Sequence, residues 1–415
     1  MSFYTSLTGL NAAAAELSVA SNNIANSNTT SFKRSEAKFG DIFASSASAN
    51  AATAVGGGVA LRAVNQQFSQ GGLQLSENAL DIAITGEGFF PMADRDGGEL
   101  YTRNGSFMLN DQNQVVNADG HTLQVFPLLI DGTSDTNQGL IPLVLNRNVA
   151  AEATTTASLD VRLPEDSTVI GVGGDVAIDI ADVATYNETQ SLTFFDDAGE
   201  PYTVTIYYQK IGDDVDVGGV IQDQYRAAVY IGDSNVASNT FDMNFDANGA
   251  PLAAVPDQII AASAIDGRTQ DITLTLAVQS HTKPFEIVGQ TIDGLPEGKL
   301  VNINIEGNGA VVATYSNGLQ EIAGRINLAN FSSPQGLTQQ GNTSYRASGD
   351  SGELIYGEPG TNGVGTLASG ATERSNVDLT QELVNLISAQ RNFQSNAKAM
   401  ETSGTLTQTL INMRG

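Results

Sequence analysis

The chain has 415 residues, enough for two to three domains, and its 41% apolar side chains supply material for a packed core. Acidic residues outnumber basic ones 46 to 19, and the resulting net charge of −27 repels phosphate backbones and anionic lipid, which counts against nucleic-acid and membrane partners. Cysteine is absent, so disulfides, thiolate metal sites and cysteine nucleophiles are excluded together.

At the N-terminus the first basic residue is Lys33, so no cleavable secretory signal is expected. Phe3, Leu7, Leu10, Ala14, Leu17 and Ile24 follow a four-three spacing, with Ser21 at the remaining step. That is the heptad period of a helix burying a narrow seam, and Ala12 to Ala15 add strong helix formers. The polar run Asn22, Asn23, Asn26, Ser27 and Asn28 favours turns and ends the helix.

The language of the middle changes to period two. Val204, Ile206 and Tyr208 alternate with Thr203, Thr205 and Tyr207, and Ile272, Leu274, Leu276 and Val278 alternate with Thr and Ala. These are half-buried strands. Turn signals recur at Asp96-Gly97, Asp119-Gly120, Asp131-Gly132, Ala198-Gly199, Asn248-Gly249, Asn308-Gly309 and Asn317-Gly318. An antiparallel β middle is expected, with the Ala-, Ser- and Gly-rich segments 44–58 and 357–370 as linkers or arms. Residues 151–288 carry 22 acidic and 5 basic side chains, so −17 of the net charge sits there, whereas residues 1–30 carry only Glu16.

Near the C-terminus Ser375 or Asn376 is the expected helix cap. A second stripe runs from Leu379 through Leu383, Leu386, Gln390, Phe393, Ala397 and Met400, then slips by one residue to Ser403, Leu406, Leu410 and Met413. Both stripes lie far in sequence from the β middle, so they are expected to pair with each other, with other copies of the chain, or both. The fold class is therefore mainly β and multidomain, with terminal α-helices.

No catalytic constellation emerges, and no enzyme activity, metal or cofactor is expected. His121 and His281 are the only histidines, and no Gly-x-Ser-x-Gly elbow nominates a serine. The run from Gly294 to Leu300 fails as a phosphate loop because its glycine spacing is short and Leu300 replaces the magnesium-binding hydroxyl. Asn244 to Val255 fails as a calcium loop because Val255 stands where a bidentate carboxylate is required. A secreted enzyme lacks support, and a monomeric adhesin leaves the two terminal seams unexplained.

Several runs together resemble the flagellar rod and hook axial protein family. They are Asn22-Asn23-Ile24-Ala25-Asn26 with Phe32-Lys33, the interior runs Asp81 to Phe90 and Tyr101 to Phe107, and Asn376-Val377-Asp378 with Gln390-Arg391. Ser31 stands where the family usually has glycine. Phe39 to Ala44 and Ala329 to Leu337 resemble hook members more than rod members; a distal rod or hook-associated protein is the alternative.

The resemblance implies nested, discontinuous domains. Residues 1–28 and 375–415 would form a coiled-coil-like inner helical domain, joined by arms at 29–72 and 363–374. An inner β domain would follow at 73–150 and 285–362, with an inserted outer β domain at 151–284. Self-association is expected through Phe3, Leu7, Leu10, Leu17, Ile24, Leu379, Leu383, Leu386, Phe393, Met400, Leu406 and Leu410. The implied partners are other copies of the chain in a tubular polymer, rod, hook-cap and hook–filament junction proteins, and a type III export apparatus; neither nucleic acid nor membrane insertion is implied. The implied location is the flagellar hook, outside the cell.

Overall fold

A computed structural model describes residues 3–42, 56–129, 132–135, 137–171, 175–217, 220–232, 234, 237–261, 271–361 and 363–413. The architecture is mainly β, with one long helix at each end: α1 (Phe3–Ala25) and α2 (Leu379–Asn412). Two compact units divide it. The first comprises 1–146, 302–314 and 320–415, and the second 147–301 and 315–319.

The second unit is a sandwich of two four-stranded sheets. One orders its strands Gln258–Ile260, Ile272–His281, Thr156–Pro164 and Glu286–Ile292; the other orders Glu188–Phe195, Pro201–Val217, Val220–Ile231 and Asn239–Asp246. The alternation read from sequence fills the space between them. Val204, Ile206 and Tyr208 turn inward beside Leu159, Leu274 and Phe245 in one core. One pairing departs from the antiparallel expectation: Thr156–Pro164 runs parallel to Ile272–His281. Tight-turn signals locate antiparallel neighbours, and a parallel pair joined through a long excursion leaves no local mark. Glu286–Ile292, expected in the inner β domain, pairs with Thr156–Pro164 in the second unit. Its residues are mostly exposed, so it carries no alternation to assign it.

In the first unit a sheet runs through Thr338–Gly341, Ser344–Arg346, Glu99–Thr102, Phe90–Ala93, Thr122–Val125, Val115–Val116 and Met108–Leu109. Ile82, Phe90, Leu123, Leu145, Val311 and Leu328 contribute to its core. A second cluster stacks Phe89, Phe331, Tyr101 and Tyr345 edge to face, with Phe68 against it. The C-terminal segment closes onto the N-terminal half: Thr366–Ser369 pairs with Ile82–Thr85, and Ala371–Glu373 with Leu73–Leu75. Part of 357–370, expected as linker, is therefore strand. Within the other arm, Ser35–Asp41 and Val59–Gln66 form a hairpin, while most of 44–58 lies outside the described residues. The glycines of all seven turn signals adopt φ between +77° and +90°.

Candidate assembly surface and the neck beneath it

The two helices pack along each other, but not through the stripe of large side chains on α1. The residues α1 buries are Ser6, Ala13, Ala20 and Asn23, three of them seven apart. Gly9 lies on the same side, so close to α2 that a Cβ there would stand 2.6 Å from the Asn396 side-chain oxygen. On α2 the buried residues are Glu382 and Ala389, and Leu386, Phe393 and Met400 are half-buried on the same side. A small-residue face on α1 thus receives larger side chains from α2. Phe3, Leu7, Leu379, Leu383 and Leu406 remain between 36% and 61% exposed. Leu10, Leu17 and Ile24 are half-buried, and the side chain of Leu410 lies outside the described residues.

Each helix is tied down where it meets the β structure. α2 is capped by Asp378, whose Oδ1 accepts from the Thr380 and Gln381 amides at 2.8 and 3.2 Å. The expected cap, Ser375 or Asn376, is thus corrected: Asp378 is the last residue before helical backbone. Asn376 acts as a clamp instead. Its Nδ2 donates to the Gln67 carbonyl at 2.7 Å, and its Oδ1 accepts from the Arg34 amide at 2.7 Å. Asn23 grips the hairpin with both amide atoms, donating to the Ser35 carbonyl at 2.8 Å and accepting from the Ser35 amide at 2.9 Å. Asn26 closes α1 by donating from its amide to the Asn22 carbonyl at 3.1 Å.

Below these clamps lies a buried charge cluster. The Lys33 ammonium donates to Glu373 Oε1 at 2.7 Å and to the Ser69 carbonyl at 2.8 Å. Arg103 Nε donates to Glu373 Oε2 at 3.2 Å, and the Gly71 amide donates to Oε1 at 2.7 Å. Burial lowers the Lys33 pKa to about 8, the Arg103 charge adds to the effect, and Glu373 opposes both. Ser31 sits against the cluster in left-handed backbone, φ +56°, fully buried. Its amide donates to the Glu373 carbonyl at 2.8 Å and its hydroxyl to the Arg103 carbonyl at 3.0 Å. A serine occupies the glycine geometry here because its hydroxyl gains a buried acceptor.

The family-motif residues divide accordingly. Asn23, Phe32, Lys33, Asn376 and Asp378 converge on this neck, and Val377 is half-buried beside it. Asn22, Ala25, Gln390 and Arg391 are exposed, and Ile24 and Asn26 half-buried or at the helix end. Sequence reasoning named Lys33 but missed Glu373 and Arg103 as its partners. Their signal was a single acid ahead of the helix cap and a lone cation in the interior run Tyr101 to Phe107. Among the described residues no group of three His, Asp or Glu side chains is placed to hold a metal ion.

Comparison with known proteins follows the same three segments. Residues 3–33 match the family described as Flagella basal body rod protein, 83–178 the Flagellar hook protein FlgE/F/G D1 domain, and 368–413 the Flagellar basal body rod FlgEFG protein C-terminal family. The flagellar hook protein FlgE of Escherichia coli K12 is 36% identical, over 100% of both chains. That of Salmonella typhimurium LT2 is 35% identical over 100% of both, and that of Brucella suis 30% identical over 99% of this chain and 98% of its own. The crystal structure of Helicobacter pylori FlgE2 shares the fold, with a TM-score of 0.51 and 13% identity across 72% of this chain and 99% of that one. Neck motifs in family order, mainly β units between terminal helices and full-length likeness to hook proteins lead to one conclusion: the chain belongs to the flagellar hook protein family, as a structural subunit of the hook.

Proposed function

We propose that the subunit polymerises through the outward apolar residues of its terminal helices into a curved tube that carries motor torque from rod to filament while bending. The observation that carries this reading is the exposure of Phe3, Leu7, Leu379 and Leu383 on helices already paired through another face. Each such side chain contributes about 1.5–3 kcal/mol when a neighbouring subunit covers it, less the cost of ordering the contact. Helices line the tube, and the acidic, polar surface of the second unit suits contacts that slide as the tube turns. Rod, hook-cap and hook–filament junction proteins are the expected neighbours at its ends, and the type III apparatus is the expected export route.

Electron microscopy of concentrated or salted-out protein tests the reading. The unaltered chain forms tubes, and Leu383→Asp forms none while its β units unfold at the same temperature. Tubes from Leu383→Asp would place the polymer contact elsewhere.

A further inference from the structure

The charge cluster of the neck is unbalanced. Lys33, Arg103 and Glu373 have side-chain exposures of 0%, 3% and 0%, and they bring two cations to one anion. The other titratable group facing them is the Tyr345 phenol, which burial pushes up and keeps neutral. Burying an uncompensated charge is expensive, so such a site is stabilised by an anion.

The cluster also has an opening. Arg103 forms part of the wall of a cavity of about 390 Å³ together with Phe68, Gln70, Gly86, Phe89 and Asn330. Its guanidinium donates to Glu373, to the Phe68 carbonyl and to the Gly86 carbonyl, which leaves two of its five N–H groups without an acceptor among the described residues. Gln70 brings a side-chain amide to the same wall, held by the Gly86 amide donating to its Oε1 at 3.2 Å. Glu87 also borders the cavity, but this residue is exposed, unlike the buried cluster.

We infer that this cavity is a receptor for an acidic side chain from a second copy of the chain, whose carboxylate completes the Lys33–Glu373–Arg103 cluster when subunits assemble. Charge selects the occupant: the chain carries 46 acidic against 19 basic residues, so its copies offer carboxylates in excess. The cavity holds a carboxylate and its stem, and the planar guanidinium matches a carboxylate's two oxygens. The identity of the occupant rests on the polymer reading above; the charge imbalance does not.

Gln70→Glu in the full-length chain places a carboxylate of the same shape at the cavity wall and keeps an acceptor for the Gly86 amide; it gives up the 3.5 Å donation from the Gln70 amide to the Ile84 carbonyl, which Gln70→Met gives up as well. Gln70→Met is the uncharged control. Near neutral pH, Gln70→Glu should raise the unfolding midpoint of the first unit in dilute monomer by about 2–4 °C, and Gln70→Met should not. That gain should fade well above the Lys33 value of about 8, where the lysine loses its charge and the cluster balances itself. With its receptor filled from within, Gln70→Glu should also need about tenfold more protein to form tubes. An unchanged or lowered midpoint overturns the imbalance. A raised midpoint with unchanged tube formation overturns the second copy as occupant. If the unaltered chain forms no tubes, the polymer reading fails, and the midpoint still decides the imbalance.

Discussion

In the second unit the large side chains of the period-two pattern, from Leu159 to Phe245, turn into a single core between two sheets. In the helical pair Leu379 and Leu383 turn outward although α2 already has a partner. The difference is geometric. Each sheet presents a whole apolar face and meets another of equal extent, so the sandwich is complete in one chain. A helix presents a narrow stripe, and two helices cover one stripe each. With Ser6, Gly9, Ala13 and Ala20 used for close approach, the broader apolar surface is left uncovered by the described residues. In the proposed polymer, completeness in one region and incompleteness in the other would divide folding from assembly.

Equal truncations in the two regions test that division most strongly. Phe245→Ala should cost the second unit about 3–5 kcal/mol in urea unfolding, because it opens a cavity among fully buried neighbours. Leu383→Ala should change monomer stability by less than about 0.5 kcal/mol. Comparable costs would mean that the helical stripe belongs to the subunit's own core. Within the first unit, Glu373→Ala should also cost about 3–5 kcal/mol, since it leaves two buried cations without their anion.

Alkaline titration sharpens the contrast by sign. Burial raises the phenol pKa values of Tyr208 and Tyr225 in the second unit, and of Tyr101, Tyr345 and Tyr356 in the first. The stability linked to them is fully present below the ordinary value of 10.0 and is lost as pH rises beyond it. Lys33 acts the other way. Its folded value of about 8 lies below the ordinary 10.5, so the unfolded chain holds more protons between them and the first unit gains stability as pH rises through that window. Calorimetry resolving the two units should show the first unit's midpoint rising against the second's between about pH 8 and pH 10.0, below the range in which the phenols of both units begin to cost stability, and Lys33→Met should abolish that gain. The smallest effect concerns the helix end: Asp378→Ala should cost α2 about 1 kcal/mol, read as faster hydrogen exchange in its first turn.

Much of this organisation was legible in the residues. Period two placed Val204, Ile206 and Tyr208 inside, and the dipeptides ending in glycine located turns whose backbone is left-handed. Both rest on local rules. What was not legible depends on residues far apart in the chain. Lys33 and Glu373 are separated by 340 positions, and nothing near either announces the other. The parallel strand pair has the same character. For α1 the stripe of Leu and Phe drew the eye, whereas the chain uses the small residues of an adjacent heptad position for its internal contact. Size marked the surface left over, and smallness marked the one in use.

The pairing of Thr156–Pro164 with Glu286–Ile292 brings the outgoing and returning ends of the second unit side by side, Ala157 opposite Ile292. At that end Asp293 closes the pair: its carboxylate accepts from the Thr155 amide at 2.9 Å, the Thr156 amide at 2.9 Å and the Thr156 hydroxyl at 3.0 Å. Burial pushes this carboxyl up, and the Thr155 and Thr156 donors outweigh it, so it stays ionised below the usual carboxylate range. Under tension the arrangement is a zipper and not a shear plate. Force applied through the two connections meets the paired segments one rung at a time: Asn148–Val149 against Gly298–Lys299, then Glu152 against Leu295, then the Asp293 carboxylate. Whatever load passes those outer rungs is next resisted at Asp293, and acid that protonates it would weaken the zipper at the head of the long strand pair.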